Sequence, residues 1–395
     1  MTLFKNKIWI ACTAIAVSAI AAGALAAGSG GIGGQINNNA IGKLQVAEKP
    51  FYAQRLQTAS PVIRSKITDL RAQAAAKKWT FEVSYTTAMD KPLEQLTGLK
   101  VPADIAPMAA EQNAFAAKAL ELDRQYLIAN KINVFTIACT VASSTCSYEN
   151  KMTPIRNQGG CGSCWDFAAM GAYEGSYNRR FNALIDVSEQ HILSCAGAGS
   201  CGGGWWDPVF QWMMGNPVRK EAEQPYTASN GTCVPNPKGT YKVAAWGFVT
   251  IKNEVPSVAE LKAALVAHGP LAVAVYVSPA FQAYSGGVFN ENNTSWINHG
   301  VVIVGWDDSK GAWRIRNSWG TGWGDNGYMW IKYGANSIGY AATWVQPASA
   351  KLTINPALLD LIRNTRFQYL KVPVPNLPTP PAPPGPPPPP KPFRR

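Results

Sequence analysis

Seven cysteines crowded between Cys139 and Cys233 constrain this chain more than any other feature. They follow an N-terminus with the marks of export. Lys5 and Lys7 precede an apolar run from about Ile8 to Ile20, and small residues fill Ala22 to Ala27. That order describes a secretory signal peptide over residues 1–26, cleaved after Ala24 or Ala26; an uncleaved anchor is the competing reading. The eighth cysteine, Cys12, lies inside the run. An odd number of thiols in an oxidising compartment leaves one over. The simplest sum is three disulfides and one free, reactive cysteine. The expected location is secreted or extracytoplasmic: extracellular, periplasmic or lysosome-like.

The 395 residues allow two or three domains, and a hydrophobic content of 47% is enough for a sizeable core. The net charge of +12 is uneven: +6 on residues 1–132, zero on 133–346 and +6 on 347–395. A neutral middle disfavours a nucleic-acid-binding core, whose groove needs concentrated Lys and Arg. A single long apolar run rules out a membrane transporter.

Residues 28–42 are rich in Gly and Asn. Helix-like stretches follow at Ser65–Lys78 and Ala109–Asn130, and another is expected over Ser163–Phe181. Beyond residue 240, short β-rich runs at Leu271–Val277, Val301–Trp306, Ala312–Asn317 and Gly327–Lys332 are split by Gly, Asn and Asp. The expectation is a mainly helical half, then a mainly β half. Residues after Pro347 read as separate: a short helix, Pro356–Leu370, then a tail in which 13 prolines fall between Pro373 and Pro392. Such a tail favours extended polyproline helix and forms no core.

The densest chemistry is Asn157-Gln-Gly-Gly-Cys-Gly-Ser-Cys-Trp-Asp-Phe-Ala168. A Gly-rich turn runs into a helix starting near Cys164. Backbone N–H groups at a helix start favour an anion, so a thiol there is driven toward thiolate. Gln158 supplies an amide donor for a developing oxyanion. Of the three histidines, His299 stands at the entry of an apolar strand, whereas His191 and His268 read as structural. Asn317 offers an amide to orient the His299 ring, and Trp319 a cover from water. A redox Cys161-x-x-Cys164 pair lacks a thioredoxin-like setting, and a zinc site lacks a second Cys-x-x-Cys.

These motifs, with Leu193-Ser-Cys195, Cys201-Gly-Gly-Gly, Asn298-His299-Gly300 and Asn317-Ser-Trp-Gly-Thr-Gly-Trp-Gly, resemble those of the papain-like cysteine proteases. The match covers about residues 150–346, with His299 and Asn317 placed 135 and 153 residues after Cys164. The resemblance implies an α+β, two-domain fold: a helical left half, an antiparallel β-barrel-like right half and an active-site cleft between them. It implies Cys164 as nucleophile, His299 as acid and base, Asn317 as orienter, and Gln158 with the Cys164 N–H as oxyanion hole. Gly203 and Gly204 would hydrogen-bond extended substrate, with Trp319 lining the site. It also implies disulfides Cys161–Cys201 and Cys195–Cys233, which leaves Cys139 and Cys146 for each other. Residues 27–132 would be a propeptide crossing the cleft in the non-productive direction, cut within about 105–145. Residues 133–346 would be the catalytic domain and 347–395 a C-terminal extension.

The departures are informative. Ile338 stands where many members have a cysteine, and its partner is missing too. Asp166 replaces a small residue and is expected to form a capping box with Ser163, rather than act on the thiol. Trp205 and Trp206 either wall a pocket or pack. The reading is a monomeric, secreted endopeptidase acting on protein or peptide substrates, made as a zymogen, with no metal, cofactor or nucleic acid. The basic tail is expected to contact a cell surface or wall, or to be an inert spacer. The rivals are an acyltransferase or transpeptidase using the same triad, and a non-catalytic binding protein on the protease scaffold.

Overall fold

A long helix packs on a sheet whose central strands are buried on both faces. The computed structural model describes residues 49–365 apart from 137–138, 294–296 and 354. The expected signal peptide, the Gly/Asn-rich stretch and the polyproline tail lie outside the described residues. The helices are α1 (Pro50–Thr58), α2 (Pro61–Ala76), α3 (Leu93–Leu96), α4 (Ala106–Ala129), α5 (Cys164–Phe181), α6 (Glu189–Cys195), α7 (Asp207–Gly215), α8 (Val258–His268), α9 (Pro279–Gln282) and α10 (Pro356–Asn364). The strands are β1 (Phe81–Val83), β2 (Thr145–Ser147), β3 (Gly199–Ser200), β4 (Gly203–Gly204), β5 (Val243–Phe248), β6 (Leu271–Val275), β7 (Tyr284–Phe289), β8 (His299–Asp307), β9 (Ala312–Arg316), β10 (Tyr328–Lys332) and β11 (Tyr340–Pro347).

Local chemistry sets many boundaries. Ser60 caps α2 by accepting from Ile63 N–H, with Pro61 in the first turn where its missing N–H costs nothing. Ser257 and Glu260 form a capping box at the start of α8, and Gly269 at φ +102° ends it. The expected capping box on α5 is absent. The Ser163 hydroxyl instead pairs with the Tyr226 hydroxyl at 2.6 Å, and neither carboxylate oxygen of the buried Asp166 has a hydrogen-bond partner.

The main sheet runs β1-β7-β10-β9-β8-β6-β11-β5, with β2 added on β8. It differs from an antiparallel barrel in two ways. The β7–β10 pair is parallel, and the path ends at β1 and β5, so among the described residues the sheet is mixed and open. It also takes in two short strands from far ahead of its main run: β1 pairs with β7, and β2 with β8. Every residue of β5, β6, β8 and β9 is buried; β5, β6 and the middle of β8 are accordingly continuous apolar runs, whereas β9 also buries Arg314 and Arg316. α5 lies across β8, β6 and β11 at the centre of the core.

Among the described residues three disulfides, Cys139–Cys146, Cys161–Cys201 and Cys195–Cys233, leave Cys164 free. The segment after Pro347, expected to stand apart, is docked over its described part. Leu358 and Ile362 of α10 are buried, and Asn355 Nδ2 donates to the Leu122 carbonyl of α4.

Candidate active site

Cys164 opens α5. The Cys161–Cys201 disulfide and the Gly162 N–H, which donates to Cys201 O at 2.9 Å, fix the turn before it. His299 is the first residue of β8, opposite Val275 of β6. Asn317 follows β9 directly, and the β8–β9 ladder brings the two side chains together. His299 Nε2 donates to Asn317 Oδ1 at 2.8 Å, leaving Nδ1 as the ring nitrogen free of Asn317. The Trp319 ring lies 4.8 Å from the His299 ring and excludes water from that hydrogen bond. Trp319 is itself held edge-on by Phe281 and Trp323. The N-terminus of α5 abuts the start of β8 closely: a Cβ on Gly300 would stand 3.2 Å from the Cys164 carbonyl.

Gln158 is anchored from the same region. Its N–H donates to Ser318 O, and its Oε1 accepts from Ser318 Oγ at 2.7 Å. With Oε1 so engaged, Nε2 points away as donor, to Cys161 O at 2.9 Å and Leu96 O at 3.2 Å. Ser318 fixes the amide's orientation, and the sequence reading gave it no role.

Leu96 belongs to a segment that fills the cleft. Gly204 N–H donates to Gly98 O and Lys100 N–H to Gly204 O, both at 2.9 Å, while Leu99 N–H donates to Asn298 O at 3.1 Å. Leu99 and Gly204 pair in parallel. A strap of residues 96–100 thus lies over Cys164 and His299, and both are fully buried. Only glycine fits at its centre: a Cβ on Gly98 would be 2.0 Å from Gly162 O. Gly203, at φ +108°, also admits no side chain, since its Cβ would be 2.6 Å from Gly98 O. Gly98 is the only glycine between Gly42 and Gly159, a signal that the sequence offered and the reading passed over.

Burial reverses the expected polarity of the thiol. It pushes Cys164 up to about 11, against backbone groups of Gly300, Gly98, Trp165 and Cys164 that favour the thiolate. Burial also pulls His299 down to about 4, opposed by Asn317 and the Leu96 backbone. With the strap in place the pair is a neutral thiol and a neutral imidazole.

The remaining residues pack. Trp205 and Trp206 are stacked and buried, and their indole N–H groups donate to Asp207 and Thr343. His191 lies between the Val234 carbonyl and the Arg219 N–H, and His268 stacks on Trp344 at 4.0 Å.

A family model described as papain family cysteine protease matches residues 142–348. The chain is 36% identical over 216 residues to cysteine proteinase 1 of Entamoeba histolytica, covering 51% of this chain and 67% of that protein. It is 32% identical over 269 residues to cathepsin L 1 of Paramecium tetraurelia, covering 67% and 82%. In fold it is similar to a digestive procathepsin L 3 from the larval midgut of Tenebrio molitor, with a TM-score of 0.57 at 24% identity over 75% of this chain and 93% of that one. The chain belongs to the papain family of cysteine proteases and is an enzyme of the cysteine endopeptidase type.

Proposed function

We propose that the protein is an exported endopeptidase made as an inactive precursor, in which residues 96–100 hold the cleft until they are cut away. The observation that carries this reading is the parallel pairing of Leu99 with Gly204, joined to the Leu96 carbonyl on Gln158 Nε2. A peptide held in that direction presents its main chain to the cleft but no scissile bond to the thiol.

Loss of the strap returns Cys164 and His299 to solvent. The desolvation that keeps them neutral falls away, and the N–H groups of Cys164 and Trp165 remain to favour the thiolate. The thiol proton passes to His299, and the Cys164 thiolate attacks the scissile carbonyl. The oxyanion is taken by Gln158 Nε2 and the Cys164 N–H. His299, oriented by Asn317, protonates the leaving amine, and water clears the acyl-enzyme. Gly204, with Gly203 leaving room beside it, holds the substrate main chain where its N–H and carbonyl now hold Gly98 and Lys100. Three disulfides suit an oxidising compartment. The basic tail would draw the enzyme to anionic surfaces.

An epoxide inhibitor of thiol proteases tests the reading. The unprocessed chain should resist labelling. The processed chain should label on Cys164 and cleave an internally quenched peptide blocked at both ends. Equal labelling of both forms would remove the precursor, and cleavage of free-ended peptides alone would remove the endopeptidase.

A further inference from the structure

Downstream of the strap, the chain does not run directly to the disulfide-bonded core. It first forms the 24-residue helix α4. This helix lies on β5, the last strand of the sheet, three places from β8. There it closes a free sheet edge. Asn113 donates to Phe248 O at 3.0 Å and accepts from Phe248 N–H at 2.8 Å, while Gln112 donates to Trp246 O at 2.7 Å. Ala109, Phe115, Ala116, Ala119 and Leu127 are buried. Asp123 pairs with Arg180 of α5, with 7% and 5% of the two side chains exposed. Across its other side α10 is fastened through Asn355.

The segment ahead of the strap is also docked: Tyr52, Phe81 and Val83 are buried, the Tyr52 hydroxyl donates to Gly324 O and the Thr86 hydroxyl to Gln282 O, both at 2.7 Å, while its outer end is the half-exposed ion pair Lys49–Asp325 and β1 is only three residues long. Between the two regions lies a short accessible stretch. Lys100 makes the last cleft hydrogen bond, and the N–H groups of Ile105 and Ala106 are pinned again on Asn253 Oδ1 at 2.9 and 3.0 Å. Residues 101–104 belong to no helix or strand, and Lys100, Ala103 and Asp104 are exposed.

We propose that α4 is never discarded: the activating cut falls between Lys100 and Asp104, and α4 remains on the core as a permanent edge cover, clamped by α10. The proposal rests on the precursor reading above, and it moves the propeptide boundary from residue 132 to the strap. The step is hydrolysis of one peptide bond. One water is consumed, a carboxylate is left on the strap, and an ammonium is left on the chain that enters α4. Unpinned at one end, the strap can leave together with the segment ahead of it, whereas α4 keeps its own buried apolar face and three edge hydrogen bonds.

The test uses the full chain as Cys164→Ala, nicked with limiting trypsin and passed over gel filtration under native conditions. Mass analysis should find residues 106–129 in the same peak as the disulfide-bonded core, even where exposed Lys131 is also cut. A folded core without those residues would overturn the proposal. A second readout uses the wild-type chain after activation. Asn113→Ala and Gln112→Ala should each lower the Tm of the activated enzyme by about 2–4 °C. Loss of that effect on activation, with the precursor still sensitive, would show that α4 leaves. If the wild-type chain, nicked within residues 100–104 and separated from the segment ahead of the nick, keeps Cys164 as unreactive to the epoxide as before, the precursor reading fails, and the co-elution result on the Cys164→Ala chain still decides whether α4 stays.

Discussion

The carbonyl oxygen of Leu96 stands 3.2 Å from Nε2 of Gln158, a donor that is free to face the cleft because Ser318 holds the other end of the amide. The strap therefore occupies the hydrogen-bond donor proposed to serve the oxyanion, as well as the space above the thiol. Two substitutions follow from this pair. Gln158→Ala should slow acylation of small peptides by about 100-fold, the cost of one oxyanion donor. Ser318→Ala, which frees the amide to rotate, should fall between that variant and wild type. An unchanged acylation rate in Gln158→Ala would show that the amide does not serve the oxyanion.

Cys164→Ala should abolish turnover and leave the fold intact, because the thiol carries the covalent step and little packing. Activity on a quenched peptide and thermal unfolding, measured on the same preparation, decide this. Residual turnover in a folded variant would require another nucleophile.

Gly98→Ala places a methyl group on the Gly162 carbonyl, where no room exists. The strap must lift, and the unprocessed chain should react with an epoxide label at least about 10-fold faster than the parent. A rate equal to that of the parent would mean that the strap tolerates the side chain without moving.

Several buried carboxyls make stability depend on pH with a defined sign. Burial pushes Asp207 up to about 8, despite hydrogen bonds from Trp205 and Thr343, and pushes Glu174 to about 7 against Arg316. Asp166 and Glu189 move the same way, again through burial. Between the ordinary carboxylate range and these values, the folded chain holds protons that the unfolded chain has released. Stability therefore falls as pH rises, by up to about 1.4 kcal/mol per pH unit for each such proton. The Tm of the Cys164→Ala chain should be higher at pH 5 than at pH 8. Asp207→Asn, which keeps an acceptor for the Trp205 indole, should flatten that slope. Parallel slopes would exclude Asp207 as a contributor.

Removal of residues 366–395 should leave kcat/KM on small peptides unchanged and weaken retention on anionic cell surfaces at low salt. Truncation after Gln346 is a different experiment. It also removes α10 from α4, so the shorter chain should unfold at a lower temperature than the longer one. Equal surface retention with and without the tail would reject the tether.

The helices and the active-site block were legible because each is local. The Ala- and Leu-rich pattern behind α4 and the Gly-rich turn into α5 need no distant partner. β5, β7 and β11 were harder. Val243-Ala-Ala-Trp-Gly-Phe248 is buried on both faces and so shows no alternation, and β7 contains Ser285-Gly286-Gly287, which reads as a turn. The α5 cap was misread because Tyr226, 63 residues downstream of Ser163, takes the hydroxyl. The thiol was expected to ionise from its place at a helix start. The strap that keeps it neutral comes from residues more than 60 positions upstream, and no feature of the Cys164 motif announces it.

The strap meets the cleft at its centre through main chain alone, glycine against glycine: Gly98 on Gly162, Gly203 and Gly204. A lock of that kind has no dialect. Mutations that reshape the side-chain pockets can redirect which peptides are cut without loosening the restraint. Substitutions around the strap can retune the restraint without touching substrate choice. On the precursor reading, the enzyme's taste and its safety catch are therefore free to drift apart, tied together at four positions where no side chain is allowed and at the Gln158 amide that both would use.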